Sequence, residues 1–222
     1  MVKITDIAPQ KKDPKRVSIF LDEEFAFGVS VEIRFEKKLE VGQSLTEKQI
    51  ANMIELDQVE RLLNKALRFL SFRPRSEKEI RDHLLRKGKL KDINKSDAEG
   101  DQYDKSVEDV ISKLKKMDQV DDKEFAKWWV EQRGKFKPSG ERLVKAELFQ
   151  KGVSKDVIDE VAQKDSKLKE EESAKKAALK KLSSYNKYDS EDFRNKMGQF
   201  LARRGFGWDV IRKVVDTFER NR

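Results

Sequence analysis

The chain has no cysteine, one histidine (His83), four prolines and ten glycines among its 222 residues. Without cysteine it forms no disulfide and no thiolate metal site, which fits the reducing cytoplasm that we expect as its location. A lone histidine without a cysteine or a second histidine argues against a zinc site. Scarce proline and glycine favour helix, because these two residues destabilise helix interiors more than any others.

Long apolar runs and familiar catalytic motifs are also absent. The first residues, MVKITDIAPQKKD, have no apolar core of the signal-peptide kind, and no stretch approaches membrane-spanning length, so we expect no membrane segment. The sequence has no Gly-x-x-x-x-Gly-Lys-Ser/Thr loop for nucleotide phosphates and no Gly-x-Ser-x-Gly nucleophile turn. We therefore predict neither an enzyme nor a bound cofactor or metal.

Charge is what the sequence has in excess. Charged residues make up 41% of the chain and hydrophobic residues 36%, which is typical of a helical protein with a thin core. The net charge of +8 attracts polyanions, with nucleic acid as the first candidate and an acidic protein surface as the second. A solvated, lysine-rich surface without a partner explains this charge equally well.

Residues 1–45 predict a small β-element and a connector. The stretch VSIFLDEEFAFGV at 17–29 alternates apolar and other residues on both sides of a polar turn at Asp22–Glu24, which is a β-hairpin pattern. A lone hairpin is marginal in water, so a further strand must pair with it. We expect that strand at Lys3–Ile7.

Helical signals begin after this element. Thr46 and Gln49 have the spacing of a capping box, which marks a helix N-terminus. Apolar residues then recur every three or four positions from Val59 to Leu70, so they form one stripe on a helix. Pro74 ends that helix.

The next helix has the same kind of start. Ser76 and Glu79 form a second capping box, with apolar residues following at helical spacing. Residues 89–105 are rich in Asn, Ser, Gly, Asp and Lys, and predict a mobile loop. After the loop, Ser106 is expected to cap a further helix.

An internal repeat follows from fixed offsets along the chain. Gly152 minus Gly88 is 64, and subtracting 64 from four further positions preserves their chemistry. Those positions are Pro138, Glu141, Val144 and Leu148, which map to Pro74, Glu77, Ile80 and Leu84. Gly205 minus Gly152 is 53, and the same mapping takes Asp156-Val157-Ile158 to Asp209-Val210-Ile211. Such self-similarity predicts three copies of a three-helix unit.

The predicted fold is mainly α, with three tandem three-helix repeats in an elongated arrangement and a small N-terminal β-hairpin element. We place the β-element and connector at 1–45. Repeat 1 with a preceding helix and the loop 89–105 occupies 46–117, repeat 2 occupies 118–164 and repeat 3 occupies 165–222.

Acidic residues recur at helix starts, where they have a local explanation. Asp156 and Asp209 fall in the first turn of a helix, where a negative charge meets the positive end of the helix dipole. The alternative, a catalytic triad of carboxylates, is much less favoured. Asp121, Asp122 and Glu124 have the composition of a metal cluster, but helix capping explains them more simply.

Basic residues cluster in the turns before the second helices. The turns FRPRS at 72–76 and GKFKPSG at 134–140 place cations beside a helix N-terminus, which is an anion-binding end. Phe136 lies between two lysines and is placed to stack on a base. A polar turn with an aromatic plug is the equal alternative. Trp128, Trp129 and Trp208 are further candidates for base stacking, but aromatic residues at helical spacing are usually core.

Further basic groups lie at the ends of the second helices, where they also complement the helix dipole. The candidate nucleic-acid or filament-binding residues are Arg73, Arg75, Arg81, Lys87, Lys135, Phe136, Lys137, Arg142, Lys145, Arg203 and Arg204.

The repeats resemble those of a known family. ALRFLSFRPRSEKEIRDHLLRKG at 66–88 resembles the first-repeat signature of the RecX family, and VDDKEFAKWWVEQR with SGERLVKAELFQKGVSKDVI resembles the second. The third repeat, from about Ala174 to Phe218, is looser and lacks the Pro-x-Ser break, so its second helix is expected to start near Ser190. The hairpin and helix before the repeats resemble the N-terminal extension of longer members.

This resemblance implies a regulatory function in DNA repair, recombination and the SOS response. RecX-like proteins bind the RecA recombinase filament along its helical groove and limit filament growth, ATP hydrolysis and strand exchange. Some also contact DNA, and the excess of positive charge predicts weak binding of this protein to single- or double-stranded DNA. We expect it to be a monomer. Two other classes stay open: a DNA-binding module that acts without RecA, and a nuclease or other enzyme that depends on Asp121 and Asp122.

Overall fold

The computed structural model describes residues 1–89, 97–163 and 167–220 and shows the predicted mainly helical class. The strands, in chain order, are β1 (Val2–Gln10), β2 (Asp13–Leu21), β3 (Glu24–Ser30) and β4 (Ser44–Leu45). The helices are α1 (Val31–Glu36), α2 (Glu47–Leu70), α3 (Glu77–Lys89), α4 (Asp97–Lys116), α5 (Asp122–Phe136), α6 (Glu141–Gln150), α7 (Lys155–Gln163), α8 (Lys167–Tyr185), α9 (Ser190–Arg203) and α10 (Trp208–Arg220).

The chain divides into two compact units, which we describe separately. Unit 1 comprises Met1–Phe72 and Arg81–Met117, and unit 2 comprises Arg73–Ile80 and Asp118–Arg222. The first turn of α3 therefore belongs to unit 2 and the rest of α3 to unit 1. Within the described residues, no helix has both the length and the apolar character that a membrane span requires.

Unit 1 begins with an antiparallel sheet in the order β3-β2-β1-β4. The predicted hairpin is confirmed as β2 and β3, and the predicted third strand is the longer β1. Asp22 and Glu23 connect β2 to β3 with φ angles of 48° and 72°, so both adopt the left-handed conformation that suits a tight hairpin turn. The two-residue β4 was not predicted, because so short a strand has no alternation to detect.

A buried ion pair ties this sheet to α2 within unit 1. The guanidinium of Arg16 donates to both carboxylate oxygens of Asp57, at 2.9 and 2.8 Å. Asp57 is only 4% exposed and also accepts a 3.1 Å hydrogen bond from the backbone N–H of Ser30. The hydrogen bond and charge of Asp57 raise the pKa of Arg16 despite its partial burial.

Helix α2 starts as the sequence indicates, with a complete capping box between Thr46 and Gln49. It continues without a break to Leu70, so the predicted preceding helix and the first helix of repeat 1 are one element. The short helix α1 was not predicted. It is capped by the hydroxyl of Ser30, which accepts from the backbone N–H of Ile33 at 3.1 Å.

Helix α4 corrects the prediction for residues 89–105. Lys89 ends α3 and α4 begins at Asp97, so residues 97–105 are helical, and residues 90–96 lie outside the described residues. Ser106 is therefore not a cap but an interior residue of α4, and its hydroxyl donates back to the carbonyl of Gln102 at 3.0 Å. The Tyr103 hydroxyl, which donates to the carbonyl of Leu84 at 3.0 Å, anchors this polar turn of the helix to α3.

Each repeat has its own buried apolar residues. The core of repeat 2 is built from Phe125 on α5, Val144 and Leu148 on α6, and Ile158 on α7, among others. The core of repeat 3 is the corresponding cluster from α8, α9 and α10. Helix α9 begins at Ser190 with an Asp189 cap, which confirms the start expected for the second helix of repeat 3.

The recurring Asp-Val-Ile sequence has two structural settings. Asp156 and Asp209 lie in the first turns of α7 and α10, as predicted, with Ile158 and Ile211 buried behind them. Asp109 differs, because α4 begins twelve positions before it (109 − 97 = 12) and the residue falls inside the helix. The motif marks a helix start in repeats 2 and 3 alone.

Candidate functional site

Two equivalent junctions join the repeats within unit 2. The hydroxyl of Ser76, at the start of α3, donates a 2.6 Å hydrogen bond to the carbonyl of Lys151, which follows α6. The backbone N–H of Gly140, at the start of α6, donates a 2.8 Å bond to the carbonyl of Arg204, which follows α9. The positions are equivalent, because 140 − 64 = 76 and 204 − 53 = 151. We call the contact of 73–79 with Lys151 and Gly152 the first junction, and that of 137–143 with Arg204 and Gly205 the second junction.

Glycine is required in both junctions. Gly152 and Gly205 each have a φ angle of +81°, which is the left-handed region that most side chains avoid. A Cβ on Gly152 would lie 2.6 Å from the Cβ of Lys78, and one on Gly205 would lie 2.6 Å from the backbone N of Leu143. A Cβ on Gly140 would lie 2.3 Å from the carbonyl oxygen of Gly205. The second junction is therefore a contact between two main chains.

In the first junction, one carboxylate neutralises two cations. Arg73 donates to both oxygens of Glu79 at 3.0 and 2.9 Å, and Lys151 donates to Glu79 at 2.5 Å. Burial alone raises the pKa of the Glu79 carboxyl, but the hydrogen bonds from Arg73 and Lys151 outweigh burial and hold the pKa below its usual value. Burial, and then the charge of Arg73, lower the pKa of Arg75.

The two adjacent tryptophans face cations of the same unit. The guanidinium of Arg73 lies 5.6 Å from the ring centre of Trp128, and the ammonium of Lys151 lies 4.3 Å from that of Trp129. The Trp129 indole N–H also donates to Glu147 at 2.9 Å. Both rings are partly buried against the repeat 2 core, so they act as core and as cation partners. Trp208 differs, because it is 67% exposed.

The second junction has no carboxylate at the position of Glu79, and Glu141, which lies in its segment 137–143, pairs with Lys145. Lys137 and Arg142 are exposed, and in the described part of the chain neither side chain has an ion-pair partner. Arg203 is exposed as well, and the guanidinium of Arg204 lies 5.2 Å from the ring centre of Phe200. The position equivalent to Glu79 is Leu143, because 79 + 64 = 143.

Three other predicted cations, Arg81, Lys135 and Lys145, are held in ion pairs. Arg81 donates to both oxygens of Glu108 at 2.7 and 2.8 Å, and Lys135 lies 2.6 Å from Glu131. Lys145 lies 2.9 Å from Glu141 and 3.0 Å from Asp159, and these hydrogen bonds raise the pKa of Lys145. The side chain of Lys87 falls outside the described part. The structure thus brings Lys137, Arg142, Arg203 and Arg204 to one junction and places Arg81 elsewhere.

An exposed aromatic residue lies in each basic turn. Phe136 is 73% exposed, as its position between two lysines predicts, and Lys180 donates to its backbone carbonyl at 3.0 Å. Phe72, one residue before Arg73, is 77% exposed and was not among the predicted residues. The repeat offset identifies Phe72 as the equivalent of Phe136, because 136 − 64 = 72.

The acidic residues at the start of α5 are explained by local contacts. Asp121 accepts from the backbone N–H groups of Lys123 and Glu124 at 2.7 and 3.2 Å, and Asp122 accepts from that of Glu77 at 2.8 Å. The side chain of Glu124 binds Lys127 at 2.5 Å. Among the residues that the structure describes, no group of three or more His, Cys, Asp or Glu side chains is placed to hold a metal ion.

The fold and these junctions define a class of protein, a chain of tandem three-helix repeats joined through glycine turns and bearing basic residues beside them. Four family models match it: the regulatory protein RecX N-terminal domain at residues 2–46, and the first, second and third RecX three-helix domains at 63–92, 121–161 and 169–215. The chain belongs to the RecX family of regulatory proteins.

Individual relatives match along nearly the whole chain. Regulatory protein RecX of Clostridium botulinum (strain Eklund 17B / Type B) is 34% identical over 97% of this chain and 95% of the relative. That of Listeria welshimeri is 33% identical over 95% of this chain and 74% of the relative. A crystal structure of regulatory protein RecX superposes with a TM-score of 0.68 at 29% identity, covering 97% of this chain and 100% of the other. RecX from Lactobacillus salivarius, at 23% identity over 74% of this chain and 99% of the other, shares the fold with a TM-score of 0.57.

Proposed function

We propose that this protein regulates the RecA recombinase by binding the RecA–DNA filament and inhibiting filament growth, ATP hydrolysis and strand exchange. The observation that carries this proposal is the match of the N-terminal domain and all three repeats to one family of regulatory proteins. Its place in the cell would be the cytoplasm, in recombination, DNA repair and the SOS response. It would act as a regulator rather than as an enzyme.

The junctions of unit 2 support a repetitive partner. Repeat proteins present similar surfaces at regular positions, and a filament presents the same protomer surface again and again. The first and second junctions occupy equivalent positions in successive repeats, and each has cations at the same two positions. A filament is therefore a partner that equivalent junctions can contact in an equivalent way.

The charge of the protein supports an additional, weaker attraction to DNA. The net charge is +8, and the cations of the second junction are not neutralised within the described part of the chain. Exposed Phe136 adds a surface on which a base can stack. DNA contact of this kind falls steeply with salt, whereas a filament contact that includes protein surface is less sensitive.

The direct test is the ATPase activity of RecA on single-stranded DNA, measured while this protein is added in steps. We expect the rate to fall with increasing protein until the filaments are saturated. A preformed filament and a filament assembled in its presence should both be measured, because inhibition of growth affects the second more strongly. An ATPase rate that does not change at saturating protein would contradict the proposal.

A DNA-binding protein that acts without RecA is the second candidate function, and exposed Phe136 between Lys135 and Lys137 favours it. Its signature is tight binding to bare DNA, with no preference for RecA-coated DNA. Fluorescence anisotropy on labelled single strands, with and without RecA, separates the two functions. Equal affinity for both substrates would favour this candidate over the regulator.

A further inference from the structure

The two junctions differ at one decisive position. In the first junction, Glu79 lies between Arg73 and Lys151 and binds both. The corresponding residues of the second junction are Leu143, Lys137 and Arg204, because 79 + 64 = 143, 73 + 64 = 137 and 151 + 53 = 204. The cations have been kept, with lysine and arginine exchanged, while the carboxylate has been replaced by an apolar side chain.

The two junctions share a hydrogen-bonded position and two cationic positions, but they pack their glycines differently. Gly140 donates its backbone N–H to the carbonyl of Arg204, whereas at the equivalent position the Ser76 side-chain hydroxyl donates to the carbonyl of Lys151. A Cβ on Gly152 would meet Lys78, and one on Gly205 would meet Leu143, one position beyond the equivalent of Lys78. Lys137 lies on the turn that leads to Gly140, just as Arg73 lies on the turn that leads to Ser76. The second junction therefore repeats the two cationic positions of a carboxylate site, with leucine at the position of the carboxylate.

Two further cations lie in or beside the second junction and favour the binding of an anion there. Arg142 lies in the segment 137–143, and Arg203 directly precedes Arg204. Both are exposed, and within the described residues neither has a carboxylate partner. An anion that binds beside these cations gains favourable Coulomb energy. The Arg204 guanidinium lies over the face of Phe200, which is a weak contact that a carboxylate can replace.

We infer that the second junction binds a carboxylate side chain of the protein partner, in the place that Glu79 fills in the first junction. This inference rests on the proposed function, so the carboxylate belongs to the surface of the RecA filament. A carboxylate is favoured over a DNA phosphate because the equivalent pair of cations in the first junction, Arg73 and Lys151, binds a carboxylate. The partner's Asp or Glu would complete the site from outside.

Supplying the carboxylate from within the chain tests this inference. The variant Leu143→Glu places a carboxylate at the position of Glu79, and Leu143→Gln is its matched control, with the same shape and no charge. We expect Leu143→Glu to lower the affinity for RecA–DNA filaments about ten-fold relative to Leu143→Gln, because the internal carboxylate occupies the cations. Circular dichroism and thermal unfolding verify that both variants fold.

A variant that removes the two cations tests the inference without any substitution at position 143. Lys137→Ala combined with Arg204→Ala should lose filament affinity to a similar extent, because the same site has been emptied. Adding Leu143→Glu to that double variant should then cost little more than adding Leu143→Gln. An equally large further loss would show that the new carboxylate acts through general charge repulsion, and would overturn the inference.

Binding to bare single-stranded DNA distinguishes the source of the anion. If the partner is a protein carboxylate, the ratio of Leu143→Glu to Leu143→Gln affinities falls on filaments and changes less than about two-fold on bare DNA. An equal loss on both substrates assigns the site to DNA phosphate, and an absence of loss on both shows that no anion binds there. Either result overturns the inference.

Binding of the wild-type protein to RecA-coated and bare DNA tests the proposed function separately from this inference. Wild-type protein that does not prefer RecA-coated DNA to bare DNA contradicts the regulator, and this inference falls with it. Wild-type protein that prefers filaments, together with indistinguishable Glu and Gln variants at position 143, leaves the regulator standing and contradicts the inference alone.

Discussion

The hydroxyl of Ser76 donates a 2.6 Å hydrogen bond to the carbonyl of Lys151, 75 residues further along the chain. The same oxygen accepts from the backbone N–H of Glu79 at 3.2 Å, so one fully buried hydroxyl both caps α3 and joins it to repeat 2. In the next repeat, the backbone N–H of Gly140 makes the equivalent bond without a side chain. In the first junction, this hydrogen bond thus depends on one small side chain.

Ser76→Ala should reduce the free energy of unfolding by about 1–3 kcal/mol, because the change leaves a part-buried carbonyl and a part-buried N–H without their partner. Urea unfolding followed by circular dichroism measures this loss. Ser71→Ala is the matched control, because the Ser71 hydroxyl bonds only the nearby carbonyl of Arg68 on an exposed surface. Equal effects of the two substitutions would show that the bond to Lys151 contributes nothing beyond a local cap.

Glu79→Gln should destabilise the protein at neutral pH by about 1–3 kcal/mol, because it leaves Arg73 and Lys151 without their counter-charge. The folded-state pKa of Glu79 lies below the ordinary value of 4.5, so its stabilising effect is present above that value. The effect is lost as the pH falls through the lower folded-state pKa, where the carboxyl takes up a proton.

The unfolding free energies of wild type and Glu79→Gln should therefore converge below pH 4.5 and stay apart above it. Glu131→Gln provides a control, because Glu131 pairs with Lys135 on the exposed surface of α5 and screening makes such a pair weak. A difference between wild type and Glu79→Gln that does not vary with pH would argue against the ion pairs as its cause.

Gly205→Ala should destabilise unit 2 by at least about 2 kcal/mol, because the residue has a left-handed backbone and its new Cβ would meet the main chain of Leu143. Gly134→Ala is expected to have the opposite sign, a gain of about 0.4–1 kcal/mol, because Gly134 lies within α5 with open space around it. Thermal unfolding of the two variants should show a decrease in stability for Gly205→Ala and an increase for Gly134→Ala. A neutral Gly205→Ala would rule out the close main-chain contact.

Replacing the cations that flank the proposed carboxylate site should weaken the salt dependence of DNA binding. If Arg142 and Arg203 each neutralise one phosphate of a single strand, alanine at both positions should make the slope of log affinity against log salt shallower by about 1.4. Alanine at Arg73 and Arg81, which are already paired with Glu79 and Glu108, should change the slope little.

Ile80→Ala, Leu84→Ala and Leu148→Ala should each cost about 2–5 kcal/mol of unfolding free energy. Ile80 and Leu84 are fully buried and Leu148 is 1% exposed, so each truncation removes apolar contact and leaves a cavity. Leu179→Ala is the control, because Leu179 is 57% exposed on α8. Losses below 1 kcal/mol at all three buried positions would contradict the assigned core faces.

Local signals in the sequence were sufficient for most of the fold. The Thr46 capping box, the hairpin around Asp22 and the offsets between Gly88, Gly152 and Gly205 depend on neighbouring residues or on repetition, and sequence displays both directly. The start of α4 was missed because residues 97–105 are polar, and the contact of Tyr103 with Leu84 that holds them is not local.

The candidate site was less predictable, because its character depends on partners distant in sequence. The spacing of Ser76 and Glu79 predicts that Glu79 is a capping residue, yet its carboxylate binds Lys151, 72 residues away. Arg73 and Lys137 are equivalent cations in sequence, and only the structure shows that the first is neutralised and the second is not. A basic turn can be predicted from residue types, but whether its cations pair with carboxylates cannot.

The contact between Gly140 and Gly205 has a consequence for how this protein can change over time. Because two main chains meet there, the spacing of repeats 2 and 3 at this point is limited by backbone atoms and not by the size of a side chain. Substitutions of core residues around the junction therefore add no atoms between these two main chains. A single added methyl group at either glycine would alter that spacing at once, so these two positions carry a constraint that much larger side chains do not.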